Sequence, residues 1–224
     1  MPIFPLNTVV FPGTTVPLHV FEDRYRALVH RLLAVPDKAD RMFGIVAIRE
    51  GYEVSRPDGQ LGVQSVHRVG CAVQLTSVER YPDGRFDIEA VGRTRFQLEA
   101  LDTSEPYLVG QVSLLEDAPQ PPTETAAEAA RTLQVFEDYR RRLSKLQDMT
   151  VLEGALPRDP TYLSYTLAAT CLLTLPERQA LLETGGAFER LVLLRHALQE
   201  EMRAMKAVPS LPATQVARTG WSPN

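Results

Sequence analysis

The hydrophobic period of this chain changes along its length, and the changes divide it. Val16, Leu18 and Val20 alternate with Thr15, Pro17 and His19, the period-2 pattern of a strand with one buried face. Pro17 has no amide proton to give to a ladder, so this strand belongs at a sheet edge or carries a bulge. Just before it, Val9-Val10-Phe11 reads as a short apolar strand stopped by the turn dipeptide Pro12-Gly13. From Phe21 the spacing becomes helical. Phe21, Tyr25, Leu28, Val29, Leu32 and Leu33 fall on one stripe, and Glu22 and Asp23 lie in the first turn, where the helix dipole favours negative charge.

Strand patterns then return. Met42 to Ile48 is an apolar run suited to a strand buried on both sides, and Arg49 to Gln64 is a Gly-rich, charged loop. Cys71, Val73 and Leu75 alternate before the phase slips at Val78, which predicts a bulge. Tyr81-Pro82-Asp83-Gly84-Arg85 has the residues of a hairpin turn. The return strand carries Phe86, Ile88 and Ala90, bends at Gly92, and continues through Phe96 and Leu98. Leu108, Gly110, Val112 and Leu114 make a last alternating run. Many short strands with a single early helix predict a small, curved, antiparallel barrel over residues 1–117.

Three prolines in the four positions 119–122 break the pattern, and they predict a stiff, Pro-rich acidic linker over residues 118–125. A helical bundle is expected over residues 126–207. Its first helix, over 126–148, carries Ala126, Ala129, Leu133, Phe136, Tyr139, Leu143 and Leu146 at steps of three or four. Asp159 before Pro160 is an N-cap, and Tyr162 to Leu175 is apolar enough for a buried helix. Pro176 opens a short helix ending near Gly185-Gly186. Phe188, Leu191, Leu194, Leu198, Met202 and Met205 mark the last one. Residues 208–224 read as a flexible tail, in which Trp221 either docks or lies exposed.

Composition narrows the function. With 224 residues and 44% hydrophobic content, the chain can bury a core in one large or two small domains. The formal charge of −4 falls on residues 1–117, which hold 12 basic and 16 acidic side chains. Neither half has the basic excess that nucleic-acid binding calls for. Cys71 and Cys171 have no CxxC or Cys/His spacing and read as buried small hydrophobes in a reducing compartment. His19, His30, His67 and His196 are scattered without metal-ligand spacing, so neither a metal nor a cofactor is expected. No leader-like start and no apolar run near the ~20 residues of a membrane span occur, and the expectation is a cytoplasmic protein. Asp87 and Glu89 share a solvated strand face, and Arg140-Arg141-Arg142 wraps around its helix rather than lining one side.

Ile3-Phe4-Pro5-Leu6, then Val9-Val10-Phe11-Pro12-Gly13, then Pro17-Leu18 before the first helix resemble, in order and spacing, the opening of the Lon protease N-terminal substrate-binding domain. Val91-Gly92-Arg93-Thr94-Arg95-Phe96 is similar to that family's Gly-x-x-Arg-Phe segment. Asp159-Pro160, the run from Leu175 to Glu183, and Glu189-Arg190-Leu191 follow in the order of the family's helices. The resemblance spans about residues 2–205. It implies an α+β chain, with a PUA-like antiparallel β-barrel followed by an α-helical bundle. It also implies capture of unfolded or exposed polypeptide segments, with a separate protease or ATPase as a further partner.

Lon's catalytic parts have no counterpart in these residues. Lys38, Lys145 and Lys206 are the lysines and none follows a glycine, so no phosphate-binding loop is present. Ser144 and Lys145 are neighbours on a helix, where their side chains diverge. The chain ends before either catalytic domain would begin, and the expectation is a non-enzymatic binding module. Val10, Phe11 and Pro12 are the candidate peptide contacts, because Pro-interrupted strands near an edge pack incompletely. Arg93 and Arg95, flanking Phe96, are candidates for acidic groups. An RNA-binding PUA-like module is the alternative, although the acidic barrel half lacks the basic, aromatic groove that RNA requires.

Overall fold

The computed structural model describes residues 1–49, 66–147 and 155–207. These form two units that divide between Glu116 and Asp117. The expected loop from residue 50 to 64, and the expected tail with Trp221, lie outside the described residues.

The first unit has six strands: β1 (Pro2–Leu6), β2 (Thr15–Val20), β3 (Met42–Ala47), β4 (Val69–Arg80), β5 (Phe86–Asp102) and β6 (Leu108–Leu115). A helix, α1 (Asp23–Leu33), lies between β2 and β3 in the chain. The sheet order is β2-β5-β4-β3-β1-β6, and β5 also pairs with β6. The pairings of β5, β4, β3, β1 and β6 therefore run in a circuit, with β2 attached to β5 from outside it. β5 serves both parts because it is 17 residues long. Its residues Phe86 to Val91 pair with β2, and Arg95 to Asp102 pair with β6.

Between these halves Ala72 faces Thr94 while Val73 faces Gly92, which leaves Arg93 as an extra residue. Such a bulge sharpens the twist of the strand, and it falls beside Gly92, where a bend was expected. A second slip lies between Leu75 and Ser77, just before the phase change at Val78. β2 holds Pro17 at the edge of the sheet, as its missing donor requires.

Two strand expectations need correction. The sheet is not wholly antiparallel, because β1 and β3 pair in parallel, from Ile3–Gly44 to Leu6–Ala47. A parallel pair needs a long crossover, and β2 with α1 supplies it. Val9-Val10-Phe11 is no strand; it is a buried loop segment.

Successive strand residues point to opposite faces, and both faces are apolar. Phe4, Phe43, Ile45, Cys71, Val73 and Ile88 form the larger cluster with Tyr25, Leu28, Val29 and Leu32 of α1. The rings of Phe4 and Tyr25 stack there with centroids 3.9 Å apart. Ile3, Val46, Ala72, Phe96, Leu98 and Leu108 form a smaller cluster on the other face. Burying each of these large side chains contributes about 1.5–3 kcal/mol.

The second unit has four helices among the described residues: α2 (Pro122–Gln147), α3 (Pro160–Thr170), α4 (Leu175–Glu183) and α5 (Ala187–Ala207). α2 begins four residues earlier than its apolar pattern, because proline suits a first helical turn and the Thr125 hydroxyl donates to the Pro121 carbonyl at 2.8 Å. Asp159 caps α3 as expected, accepting from the amides of Thr161 and Tyr162. α3 stops at Thr170 rather than Leu175. Thr174 and Glu177 form a reciprocal capping box that starts α4 around Pro176.

Two buried charges bind the helices. Arg190 is fully buried. It donates to Ser164 Oγ at 2.9 Å, to both carboxylate oxygens of Asp117 at 3.0 and 3.1 Å, and to the carbonyls of Leu181 and Thr184. Its guanidinium also lies over the Tyr165 ring. Glu128, on α2, accepts from Arg195 of α5 at 2.6 Å and from Arg131 at 3.1 Å.

Candidate functional site

Val10, Phe11 and Pro12, the expected peptide contacts, are all buried, so their side chains belong to the core. The backbone explains why. Pro12 and Gly13, the latter at φ 80°, make a tight turn in which the Thr14 amide and hydroxyl both donate to the Phe11 carbonyl. Gly13 N donates to the Gly92 carbonyl and Gly92 N donates to the Thr14 carbonyl, both at 2.9 Å. The loop lies so close to β5 that a Cβ on Gly92 would stand 2.2 Å from Phe11 O. The Phe-Pro-Gly segment is thus a fastening of loop to strand.

Arg93 and Arg95 do not act as a pair. Arg93 is the exposed bulge residue, with Nε donating to Gln74 Oε1 at 2.8 Å. Arg95 is buried, and its Nη2 reaches the Glu116 carbonyl at 3.5 Å.

Among the described residues of the first unit, the exposed large apolar side chain lies on β6. Gly110, Val112 and Leu114 share one face of this strand. A Cβ on Gly110 would collide with Leu98 and Ile3. Val112 packs, half-buried, against the smaller core cluster together with Met1 and Met42. Leu114, the next residue in the row, is 65% exposed. It faces Phe96 across the ladder, but on the other side β1 pairs with Leu108 and Val109, Met1 bonds to Gly110, and among the described residues no strand pairing reaches Leu114. The apolar row outruns its cover. Sequence alternation placed Leu114 on a strand face correctly, but no local signal told how far the neighbouring strand would extend over it.

A polar cluster was also missed. His19 Nδ1 donates to Asp87 Oδ1 at 2.5 Å, and the Tyr81 hydroxyl donates to Asp87 Oδ2 at 2.6 Å. The Tyr81 hydrogen bond, with that of His19, holds the Asp87 carboxyl below its ordinary range, while Asp87 in turn raises the Tyr81 phenol. The register pairs His19 with Asp87 directly across β2 and β5, so the cluster braces the β4–β5 turn against β2.

Other chemistry is sparse. Burial pushes the Cys71 thiol up to about 12, which removes it as a nucleophile, and Cys171 is buried too. Among the described residues no group of three His, Cys, Asp or Glu is arranged for a metal ion, and no helix is long and apolar enough to cross a membrane. On α2, Asp138, Arg141, Arg142 and Lys145 line a shallow cleft of about 310 Å³, where Arg141 is paired with Asp138.

A model of the ATP-dependent protease La (LON) substrate-binding domain matches residues 1–200. The chain is 26% identical over 212 residues to the Lon protease of Cytophaga hutchinsonii, a match covering 92% of this chain and 25% of that protein. It is 28% identical over 197 residues to the Lon protease of Xanthomonas oryzae, covering 87% of this chain and 22% of that protein. The chain thus spans about a quarter of the length of these curated relatives. Among solved structures, the N-terminal domain of Mycobacterium avium complex Lon protease aligns with a TM-score of 0.63 at 21% identity, covering 88% of this chain and 97% of that one. The Lon N-terminal domain protein from Xanthomonas campestris aligns at 0.58 and 23% identity, covering 87% and 95%. At these identities the two structures show a shared fold.

Proposed function

Because the chain belongs to the ATP-dependent protease La (LON) substrate-binding domain family, we propose that its strand-rich unit captures exposed apolar segments of non-native polypeptide, and that these residues break no bond themselves. The observation that carries the reading is Leu114, an apolar side chain left 65% exposed at the end of a core-facing row. An incoming apolar side chain laid against Leu114 and Val112 is removed from water, at about 25 cal/mol per Å² of apolar surface. A protease or ATPase, on the same chain or a separate one, is the proposed recipient of the captured segment.

The test uses the full chain and fluorescein-labelled, reduced and carboxymethylated α-lactalbumin as a permanently unfolded probe. Fluorescence anisotropy should give saturable binding in the micromolar range, and Leu114→Ser should weaken it about tenfold, the worth of one buried leucine. The melting temperature of that variant should stay unchanged, because the side chain it alters is exposed. No binding at several hundred micromolar protein would remove the reading.

A further inference from the structure

We propose that the open edge of β6 takes up the bound segment as an added strand, and that the chain thereby selects extended, proline-free stretches with apolar residues at every second position. This rests on the polypeptide-binding reading above and names the class of segment.

Among the described residues β2 and the end of β6 both present an unpaired edge, and hydrogen-bond direction separates these two. On β2, Gly92 N donates to the Thr14 carbonyl, so the backbone groups of Thr14 face β5. Backbone direction alternates along a strand. Val16, Leu18 and Val20 therefore face β5 as well, and Thr15, Pro17 and His19 face outward. Pro17, at the centre, has no proton to donate, so this edge is blunted against another strand.

On β6, Gly110 N donates to the Met1 carbonyl at 2.8 Å and Met1 N donates to the Gly110 carbonyl at 2.9 Å. The backbone of Gly110 thus faces the β1 side, and Val112 and Leu114 follow it. The irregularity between β5 and β6 does not disturb this alternation, because the extra residue lies on β5: Leu98 faces Val112 and Ala100 faces Gln111. Among the described residues nothing pairs with Val112 or Leu114 on that side. Two N–H donors and two carbonyl acceptors are presented in a row, beside the exposed leucine.

An added strand meets two different faces. Its residues on the side of Val112 and Leu114 extend the apolar row, and the residues between them stand beside exposed Gln111 and Ser113. Period-2 alternation is the pattern that satisfies both. Proline is excluded wherever the segment must donate to β6. Exposed Glu116 follows the strand at its Leu114 end, and exposed Glu99 is the extra β5 residue between the partners of Gln111 and Val112, so basic flanking residues suit the site better than acidic ones. A second copy of this chain is disfavoured as the occupant, since each copy carries a formal net charge of −4.

The probe is a labelled nine-residue peptide with valine at every second position, threonine and serine between, and lysine at both ends. It is titrated with the full chain beside a composition-matched peptide whose valines are clustered. A set of singly N-methylated versions of the first peptide is titrated as well. Expected are tighter binding of the alternating peptide and a loss of about fivefold or more at every second methylated amide, the worth of one main-chain hydrogen bond. Intervening positions should be much less affected. Leu114→Pro should weaken binding similarly, because it deletes an outward N–H while Ser113 and Leu115 keep the ladder to β5. Binding that is insensitive to N-methylation, or sensitive at all positions alike, overturns strand addition and leaves polypeptide capture standing. Binding of unfolded α-lactalbumin with no binding of either peptide also overturns it. Failure of all these probes removes both.

Discussion

Replacing Gly92 by alanine would put a methyl group where the structure has the carbonyl of Phe11. The new Cβ would stand 2.2 Å from Phe11 O and 2.9 Å from Phe11 C, with Cys71 Sγ at 3.2 Å behind them. The first two atoms are backbone, so no flexible side chain can swing aside. The Phe11–Thr14 loop must lift from β5. That breaks or stretches two backbone hydrogen bonds, Gly13 to Gly92 and Gly92 to Thr14, at about 1 kcal/mol each. It also uncovers part of fully buried Phe11, a further ~1–2 kcal/mol. The sum is about 3–4 kcal/mol, which for a unit of this size lowers its melting temperature by roughly 12–20 °C. Gly13→Ala, at φ 80°, should cost about 1–2 kcal/mol for the left-handed backbone alone. Gly185→Ala, with nothing within 4 Å of the added Cβ, should lie within about 0.5 kcal/mol of the parent. Thermal unfolding followed by circular dichroism gives all three values. If Gly92→Ala melts within about 3 °C of the parent, or above Gly13→Ala, the loop is not fastened through this contact.

Two predictions concern the helical unit. Arg190→Met should destabilise it by about 3–5 kcal/mol in urea titrations, since it removes one charge of the buried Arg190–Asp117 ion pair. Arg190→Lys should not rescue it, because one ammonium cannot satisfy the Ser164, Leu181, Asp117 and Thr184 oxygens together; recovery to within about 1 kcal/mol would refute this. For Glu128, burial pushes the carboxyl up, but the hydrogen bonds and charges of Arg195 and Arg131 outweigh it and hold the group below its ordinary 4.5. A depressed folded-state value means stabilisation that is full above about pH 4.5 and lost as pH falls through the lower value. Glu128→Gln should therefore be less stable at pH 7 and should lose less stability than the parent on acidification below pH 4.5. Parallel stability profiles for the two proteins would refute this.

Much of the architecture is legible in local pattern. The stripe Tyr25, Leu28, Val29 and Leu32 names the buried face of α1, Asp159-Pro160 names the start of α3, and Gly92 marks the bend in β5. These features depend on neighbours within one or two turns. The parallel β1–β3 pair, the split of the core into two faces, and the meeting of His19, Tyr81 and Asp87 depend on register between segments far apart in the chain. Alternation says which residues share a face and is silent on which strand covers it. For that reason the apolar, proline-rich segment around Phe11 drew the expectation of a binding face, although backbone proximity to Gly92 buries it. Leu114, patterned like Gly110 and Val112 before it, is left open.

The ion pair between Asp117 and Arg190 has a consequence for how the chain can be divided. Proline content suggests a cut anywhere between residues 118 and 122. Ala118 N also donates to the Gly185 carbonyl, so the last residue of the expected barrel and the first of the apparent linker are structural members of the helical unit. A helical fragment beginning at Pro119 would be born with a buried guanidinium and no counter-charge, and its failure to fold would say nothing about the autonomy of the bundle. One beginning at Glu116 carries its counter-ion with it. For this chain the chemical start of the second domain is a single carboxylate, placed before the first proline.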